Sequence, residues 1–85
     1  MPIISIFFGI IIRMFHDDHP PPHFHAEYSE SAAVIDIATG RVLGGRFPPR
    51  VARLVEEWRR HVRQLQRAWD DAQRAKQPKR IPPLP

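Results

Sequence analysis

The 85-residue sequence predicts an α+β fold, a small antiparallel β-meander of four to five strands packed against one long C-terminal helix. Short runs of β-branched and aromatic residues fill the first half, with turn-forming residues between them, as is typical of a meander. In the second half, apolar residues recur every three or four positions from Val51 to Ala72, which indicates one face of a helix. We expect residues 1–76 to form a single domain and the Pro-rich segment 77–85 to be a tail.

The strands are predicted at about residues 3–8, 10–16, 23–29, 32–38 and 41–46. Gly9 separates the first two and is expected to form a bend or a tight connection. The run Pro20-Pro21-Pro22 restricts φ and removes three N–H donors, so it predicts a stiff, extended segment that leads into the third strand. Thr39-Gly40 is typical of a hairpin connection before a last, short edge strand.

A helix is predicted at about residues 48–75, because Pro48-Pro49 end the sheet and proline is tolerated in a first helical turn. Its apolar stripe consists of Val51, Val55, Trp58, Val62, Leu65, Trp69 and Ala72. Such a helix is roughly 35–40 Å long, whereas a short strand spans about 20 Å, so we expect the helix to overhang the sheet. The overhanging stripe then needs cover from Ile81 and Leu84 of the tail, from a second copy in a homodimer, or from another protein.

The composition excludes several classes of protein. The chain has no cysteine, which rules out a disulfide framework and a thiolate metal site. Its apolar run, residues 3–12, is too short for a membrane span and lacks the flanks of a signal peptide. We therefore expect a cytoplasmic protein that does not insert into a membrane.

Charge is distributed unevenly along the chain. Residues 1–46 carry a net charge of −2 and residues 47–85 a net charge of +6. This asymmetry indicates an anionic partner, either RNA or an acidic protein, although a solvated helix face would have the same composition. The candidate contact residues lie on the predicted helix and are Arg53, Arg60, Arg63, Arg67 and Trp69.

Four of the five histidines lie in one segment, His16-Asp-Asp-His19-Pro-Pro-Pro-His23-Phe-His25. His23 and His25 are two positions apart, so on a strand their side chains leave the same face, close enough to share a metal ion, a phosphate or a proton. In the simplest interpretation the protein is a non-enzymatic protein–protein interaction module, and the histidines are structural. Their ring nitrogens are then bonded to backbone or to aspartates.

A metal-binding interpretation takes imidazole nitrogens from His23 and His25 and a third from His16 or His19. A carboxylate from Asp17 or Asp18 would complete the ligand set. No spacing in the segment matches a strong zinc signature, so the sequence by itself predicts no cofactor.

A catalytic interpretation makes the segment the centre of a metal-independent ribonuclease. One neutral and one protonated imidazole act as base and acid on the RNA phosphodiester, and an arginine stabilises charge on the phosphoryl oxygens. The 2′-hydroxyl of the RNA is the nucleophile, so the protein has only to transfer protons and neutralise charge. The candidate catalytic residues are His19, His23, His25 and Arg13.

Several segments of the chain resemble one known bacterial family. They are Pro2-Ile-Ile-Ser-Ile-Phe-Phe-Gly9, Ile12-Arg13-Met14, Asp18-His-Pro-Pro-Pro-His-Phe-His25 and Ala33-Val-Ile-Asp-Ile37. With these segments the chain resembles the family catalogued as domain of unknown function 4160, essentially from Met1 to the tail. The resemblance implies the toxin-like half of a type II toxin–antitoxin pair, whose partner is an antitoxin-like small protein encoded nearby.

Overall fold

A computed structural model of the chain describes residues 3–16 and 18–85. These residues contain five strands, β1 (Ile3–Phe7), β2 (Ile10–Arg13), β3 (His23–Tyr28), β4 (Ser31–Asp36) and β5 (Val42–Gly45), and two helices, α1 (Pro49–Trp58) and α2 (Val62–Gln73). The strands form one antiparallel sheet in the order β1-β2-β3-β4-β5, so each strand pairs with its neighbours in the chain. The predicted α+β class with a β-meander is confirmed. Neither of these two helices has the length and apolar character needed to cross a membrane.

Positive φ angles at the turns explain how the strands reverse so tightly. Phe8 (φ 50°) and Gly9 (φ 80°) form the two-residue connection between β1 and β2, with the backbone twist that suits antiparallel hairpins. Gly40 (φ 79°) lies in the turn before β5. The connections predicted at Gly9 and at Thr39-Gly40 are therefore confirmed.

The core lies on one face of the sheet, where strand side chains at alternate positions are buried. Ile10, Ile12 and Ile35 are examples, each at most 3% exposed. Helix and tail residues complete the same cluster, namely Val51, Val55, Trp58, Leu65, Ala68, Trp69, Ala72, Ile81 and Leu84. On the opposite face of the sheet, Arg13 and His25 are only partly buried.

The structure divides the predicted helix 48–75 in two, with a break at residues 59–61. His61 has φ −77° and ψ 43°, and its backbone N–H and ring Nδ1 lie 3.2 and 3.0 Å from the Trp58 carbonyl. In a continuous helix that carbonyl would accept a hydrogen bond from Val62, so the contacts of His61 end α1. A continuous helix from the start of α1 to the end of α2, residues 49–73, would be about 37 Å long, which exceeds the longest dimension of the Cα framework, 33 Å.

The expected overhang is absent from the part of the chain that the structure describes. Leu65, Trp69 and Ala72 are buried by the chain itself and are at most 6% exposed. Ile81 and Leu84 of the tail belong to the same core. Of the three kinds of cover expected for this part of the stripe, the structure shows the tail, and a homodimer stays a prediction.

β2 ends at Arg13, three residues before the predicted end of this strand at residue 16. In the β2–β3 register Arg13 faces His25, so residue 16 would face Pro22, which has no N–H to donate. The chain therefore leaves the sheet after β2 and returns to it at His23 through a loop, residues 14–22.

Candidate functional site

The candidate site lies where β2 ends and β3 begins, at one end of the sheet. The loop between these strands is described except for residue 17. Two hydrogen bonds join the loop to the C-terminal end of α2. His16 Nδ1–H donates to the Ala72 carbonyl at 3.2 Å, and the Gln73 side-chain amide donates to the Asp18 carbonyl at 3.1 Å. The position of Asp18 relative to β3 is therefore held by α2.

Three side chains bring polar atoms to one point, and we call them the Asp18–His23–His25 cluster. Asp18 Oδ2 lies 2.9 Å from His23 Nε2 and 3.0 Å from His25 Nε2. All three potential ligand atoms lie within 4.8 Å of one another. His23 is buried, whereas the side chains of Asp18 and His25 are 26% and 28% exposed, so solvent reaches the cluster from one side. Asp17, the other candidate carboxylate, lies outside the described residues.

The bond of His23 to the backbone determines what its second ring nitrogen can do. His23 Nδ1 lies 2.7 Å from the Pro21 carbonyl, which can only accept a hydrogen bond, so Nδ1 carries a proton. In a neutral ring Nε2 then has a free lone pair, and this lone pair faces the carboxylate of Asp18. Two acceptors 2.9 Å apart repel each other unless a cation lies between them. That cation is either a second proton on the imidazole or a metal ion.

The carboxyl group of Asp18 is held in its charged form. Partial burial by itself raises its pKa, but the interactions with the imidazoles of His25 and His23 outweigh burial and lower the pKa below its usual value. The backbone N–H of His19 donates to Asp18 Oδ1 at 3.2 Å. The loop backbone thus orients one carboxylate oxygen and leaves the other for the two imidazoles.

Aromatic rings enclose the cluster on two sides. The ring of Trp69, on α2, lies 5.1 Å from the ring of His23. The rings of Phe15 and His25 lie 4.4 Å apart, edge to face. Beside His25 the outer face of the sheet has a shallow groove of about 230 Å³, lined mainly by small residues of β4 and β5. His25 is therefore the member of the cluster that a molecule in this groove would meet.

The structure brings together two of the four predicted catalytic residues, His23 and His25. The side chain of His19 is exposed and lies outside the cluster. Arg13 lies opposite His25 in the strand register, but its Nε donates to Glu27 Oε2 at 3.1 Å. The charge of Arg13 is therefore balanced by a neighbour on β3.

The other predicted residues are placed in three different ways. The arginines that the sequence assigns to partner contacts, Arg53, Arg60, Arg63 and Arg67, are exposed. Trp69 is buried and forms part of the wall of the site, so it is not available to a partner at the surface. His16, a predicted metal ligand, is bonded to α2 and is not among the residues of the cluster.

Sequence reasoning misses two residues that shape the site, Phe15 and Gln73. Phe15 falls inside a predicted strand, where an aromatic residue indicates core packing rather than contact with a histidine. Nothing in the sequence indicates that Gln73 belongs to the site, because a polar residue near the end of an amphipathic helix is usually solvated. Its contact with Asp18 depends on where α2 ends in space.

One family model matches the chain, over residues 9–70, and its description is domain of unknown function (DUF4160). No curated protein and no solved structure matches the chain. The matched range contains β2 to β5, the loop 14–22 and the whole cluster. Since this range is more than half of the sequence, the chain belongs to the family described as domain of unknown function DUF4160.

Proposed function

We propose that the Asp18–His23–His25 cluster binds one divalent ion of a first-row transition metal. One observation carries this proposal: three atoms that can donate an electron pair to a metal lie close together. Asp18 Oδ2 lies 2.9 Å from His23 Nε2 and 3.0 Å from His25 Nε2. Two imidazoles and one carboxylate are a ligand set that suits Zn²⁺, Fe²⁺, Co²⁺ and Ni²⁺. A metal ion would remove the repulsion between the lone pair of His23 and the carboxylate.

The surroundings of His23 support the proposal. A metal-binding histidine usually donates its other N–H to a carbonyl or a carboxylate, which orients the ring, and His23 makes such a bond to Pro21 at 2.7 Å. Metal–ligand bonds of about 2.1 Å place tetrahedral ligand atoms about 3.4 Å apart. The two distances from Asp18 Oδ2 to the imidazole nitrogens, 2.9 and 3.0 Å, therefore have to widen by only about half an ångström to accept the ion. Three protein ligands leave a coordination position free for water or a substrate.

We expect the untagged protein to bind one equivalent of Zn²⁺, and His25→Ala to lower the affinity at least about 100-fold, because one of only three ligands is lost. Competition with a chromophoric chelator measures both affinities. Co²⁺ provides a second measurement, since its absorption spectrum reports the coordination geometry.

His19→Ala is the matched control for this titration. It removes an exposed imidazole from the same segment but leaves the cluster intact, so its Zn²⁺ affinity should equal that of the wild type. Absence of stoichiometric Zn²⁺, or an equal loss of affinity in both variants, would contradict the metal proposal.

A second candidate function is that of a cytoplasmic, toxin-like protein that acts on RNA. Two observations favour it. Residues 47–85 together carry a net charge of +6, and His25 lies beside an open groove. Here the cluster acts without metal, with protonated His23 held by Asp18 as the acid and His25 as the base.

Expression of the chain alone should then arrest growth, and co-expression of an antitoxin-like protein encoded beside it should relieve the arrest. His25→Ala should restore growth, with a thermal melt of the purified variant showing that it still folds. RNA cleavage that persists in EDTA would assign the cluster to proton transfer, whereas cleavage that requires added metal would favour the first candidate. Normal growth in the presence of folded wild-type protein would exclude the toxin role.

A further inference from the structure

The two edge strands of the sheet, β1 and β5, differ in whether another part of the chain covers them. At β1 the tail covers the edge, since the Ile81 N–H donates to the Ile4 carbonyl at 2.8 Å and the Arg80 guanidinium donates to the Ile3 carbonyl at 3.2 Å. At β5 no described residue pairs with the outer side of the strand. The start of β1, at Ile3 and Ile4, is thus covered from within the chain, whereas the outer side of β5 has no pairing partner among the described residues.

The open edge is apolar. Val42 is 54% exposed and Leu43 46% exposed. Ile35 pairs with Val42 and Val34 with Gly44, so Leu43 is the extra residue of a bulge that has no partner on β4. An edge strand with free backbone groups and apolar side chains is a template for an added strand.

A groove lies beside this edge, between β5 and α1. Its volume is about 460 Å³, and its apolar lining consists of Ile35, Val42, Phe47, Ala52 and Val55. In β-strand addition, backbone hydrogen bonds supply affinity, and pockets for alternate side chains supply specificity. The groove provides such a pocket on the helix side of the edge.

The charges around the edge of β5 favour a different protein, rather than a second copy of the chain, as the partner that pairs with this strand. Arg41 and Arg46 flank β5, and both are exposed, whereas the carboxylate of Glu56, which also lines the groove, is paired with Arg59 at 2.8 Å. If two copies paired antiparallel about a centre between Leu43 and Gly44, Arg41 of each copy would face Arg46 of the other, and like charges directly opposite are destabilising. α1 begins nearby with no acidic residue in its first turn, so the positive end of its dipole adds to the same potential.

We propose that β5 is a docking strand for an extended, acidic segment of another protein. The segment pairs with the free edge of β5, places an apolar side chain in the groove against α1, and sets carboxylates opposite Arg41 and Arg46. This inference rests on residues other than those of the metal proposal, so either proposal can fail without the other.

The test uses two synthetic peptides, Glu-Glu-Val-Thr-Ile-Thr-Val-Glu-Glu and its counterpart with lysine in place of every glutamate, titrated into the ¹⁵N-labelled full chain. We expect the Glu-flanked peptide to bind about tenfold more tightly, because each exposed ion pair contributes a few tenths to one kcal/mol. NMR shift changes should be confined to β5 and the groove. Arg41→Glu combined with Arg46→Glu should reverse the preference in favour of the Lys-flanked peptide.

Arg63→Glu combined with Arg67→Glu is the matched control, since it changes the net charge equally at exposed positions of α2. This control should keep the preference of the wild type for the Glu-flanked peptide. The proposal is overturned by equal binding of the two peptides, by the absence of shift changes at β5, or by a preference that the control variant also reverses. It is also overturned if the chain without peptide forms dimers through β5.

Discussion

Replacing Trp58 with alanine should lower the free energy of unfolding by about 3–5 kcal/mol, the largest loss we expect from a single substitution in this chain. Trp58 is fully buried at the centre of the core. Its ring stacks on Phe7 at 5.4 Å and meets Phe24 edge to face at 5.6 Å, and its Nε1–H donates to the Pro82 carbonyl at 2.9 Å. The alanine variant loses contacts with the sheet and with the tail together. Urea denaturation followed by circular dichroism measures the effect.

Trp58→Phe separates packing from hydrogen bonding at this position. Phenylalanine retains most of the aromatic contacts but cannot donate to Pro82, so we expect a loss of about 1–2 kcal/mol. If Trp58→Ala cost no more than Trp58→Phe, the assignment of Trp58 as the centre of the core would be incorrect.

Gly45→Ala should lower the free energy of unfolding by at least about 2 kcal/mol. Gly45 has φ 72°, a left-handed conformation that a residue with a Cβ adopts at a cost. A Cβ at this position would also overlap the Ala32 carbonyl oxygen and would lie 3.0 Å from the Ala33 Cα. Both neighbours are backbone atoms of β4, so the pairing of β4 with β5 has to shift.

Gly44→Ala is the control for this substitution, because it differs from Gly45→Ala by only one position along β5. A Cβ at Gly44 would have no heavy atom within 4 Å, and its φ is not in the left-handed range. We expect its free energy of unfolding to stay within about 0.5 kcal/mol of the wild-type value. Thermal melts of the two variants should therefore differ clearly. Equal melting temperatures would show that the sheet tolerates a shift in the pairing of β4 with β5.

The helical half shows how far a hydrophobic pattern predicts a fold. Six of the seven residues of the stripe are buried; Val62 is only partly buried, and the stripe omits Ala68, which is buried as well. It does not reveal the break at residues 59–61, because each helix buries its own part of the stripe and the spacing continues across the break. The break depends on the contacts of His61 with the Trp58 carbonyl, which replace the helical hydrogen bond from Val62. The spacing of apolar residues does not depend on which group bonds this carbonyl.

The candidate site was predictable only in part, for a related reason. The two-residue spacing of His23 and His25 predicts that their rings share a face of a strand, and the rings lie 5.3 Å apart. Spacing cannot choose between Asp17 and Asp18, since a loop does not have the regular geometry of a strand. Asp18 reaches both histidines because the loop is anchored on α2, and that contact joins positions more than fifty residues apart in the sequence.

The tail has a consequence for the order in which the molecule assembles. Every strand pairs with its neighbour in the chain, so the hairpins close short loops, which form quickly. The bond between Arg80 and Ile3 instead joins residues 77 positions apart, and closing so long a loop costs more conformational entropy. Until the tail docks, β1 is as open as β5, and a partly folded chain has two edges available to other chains. Aggregation then competes with folding at this stage, and the balance between them depends on protein concentration.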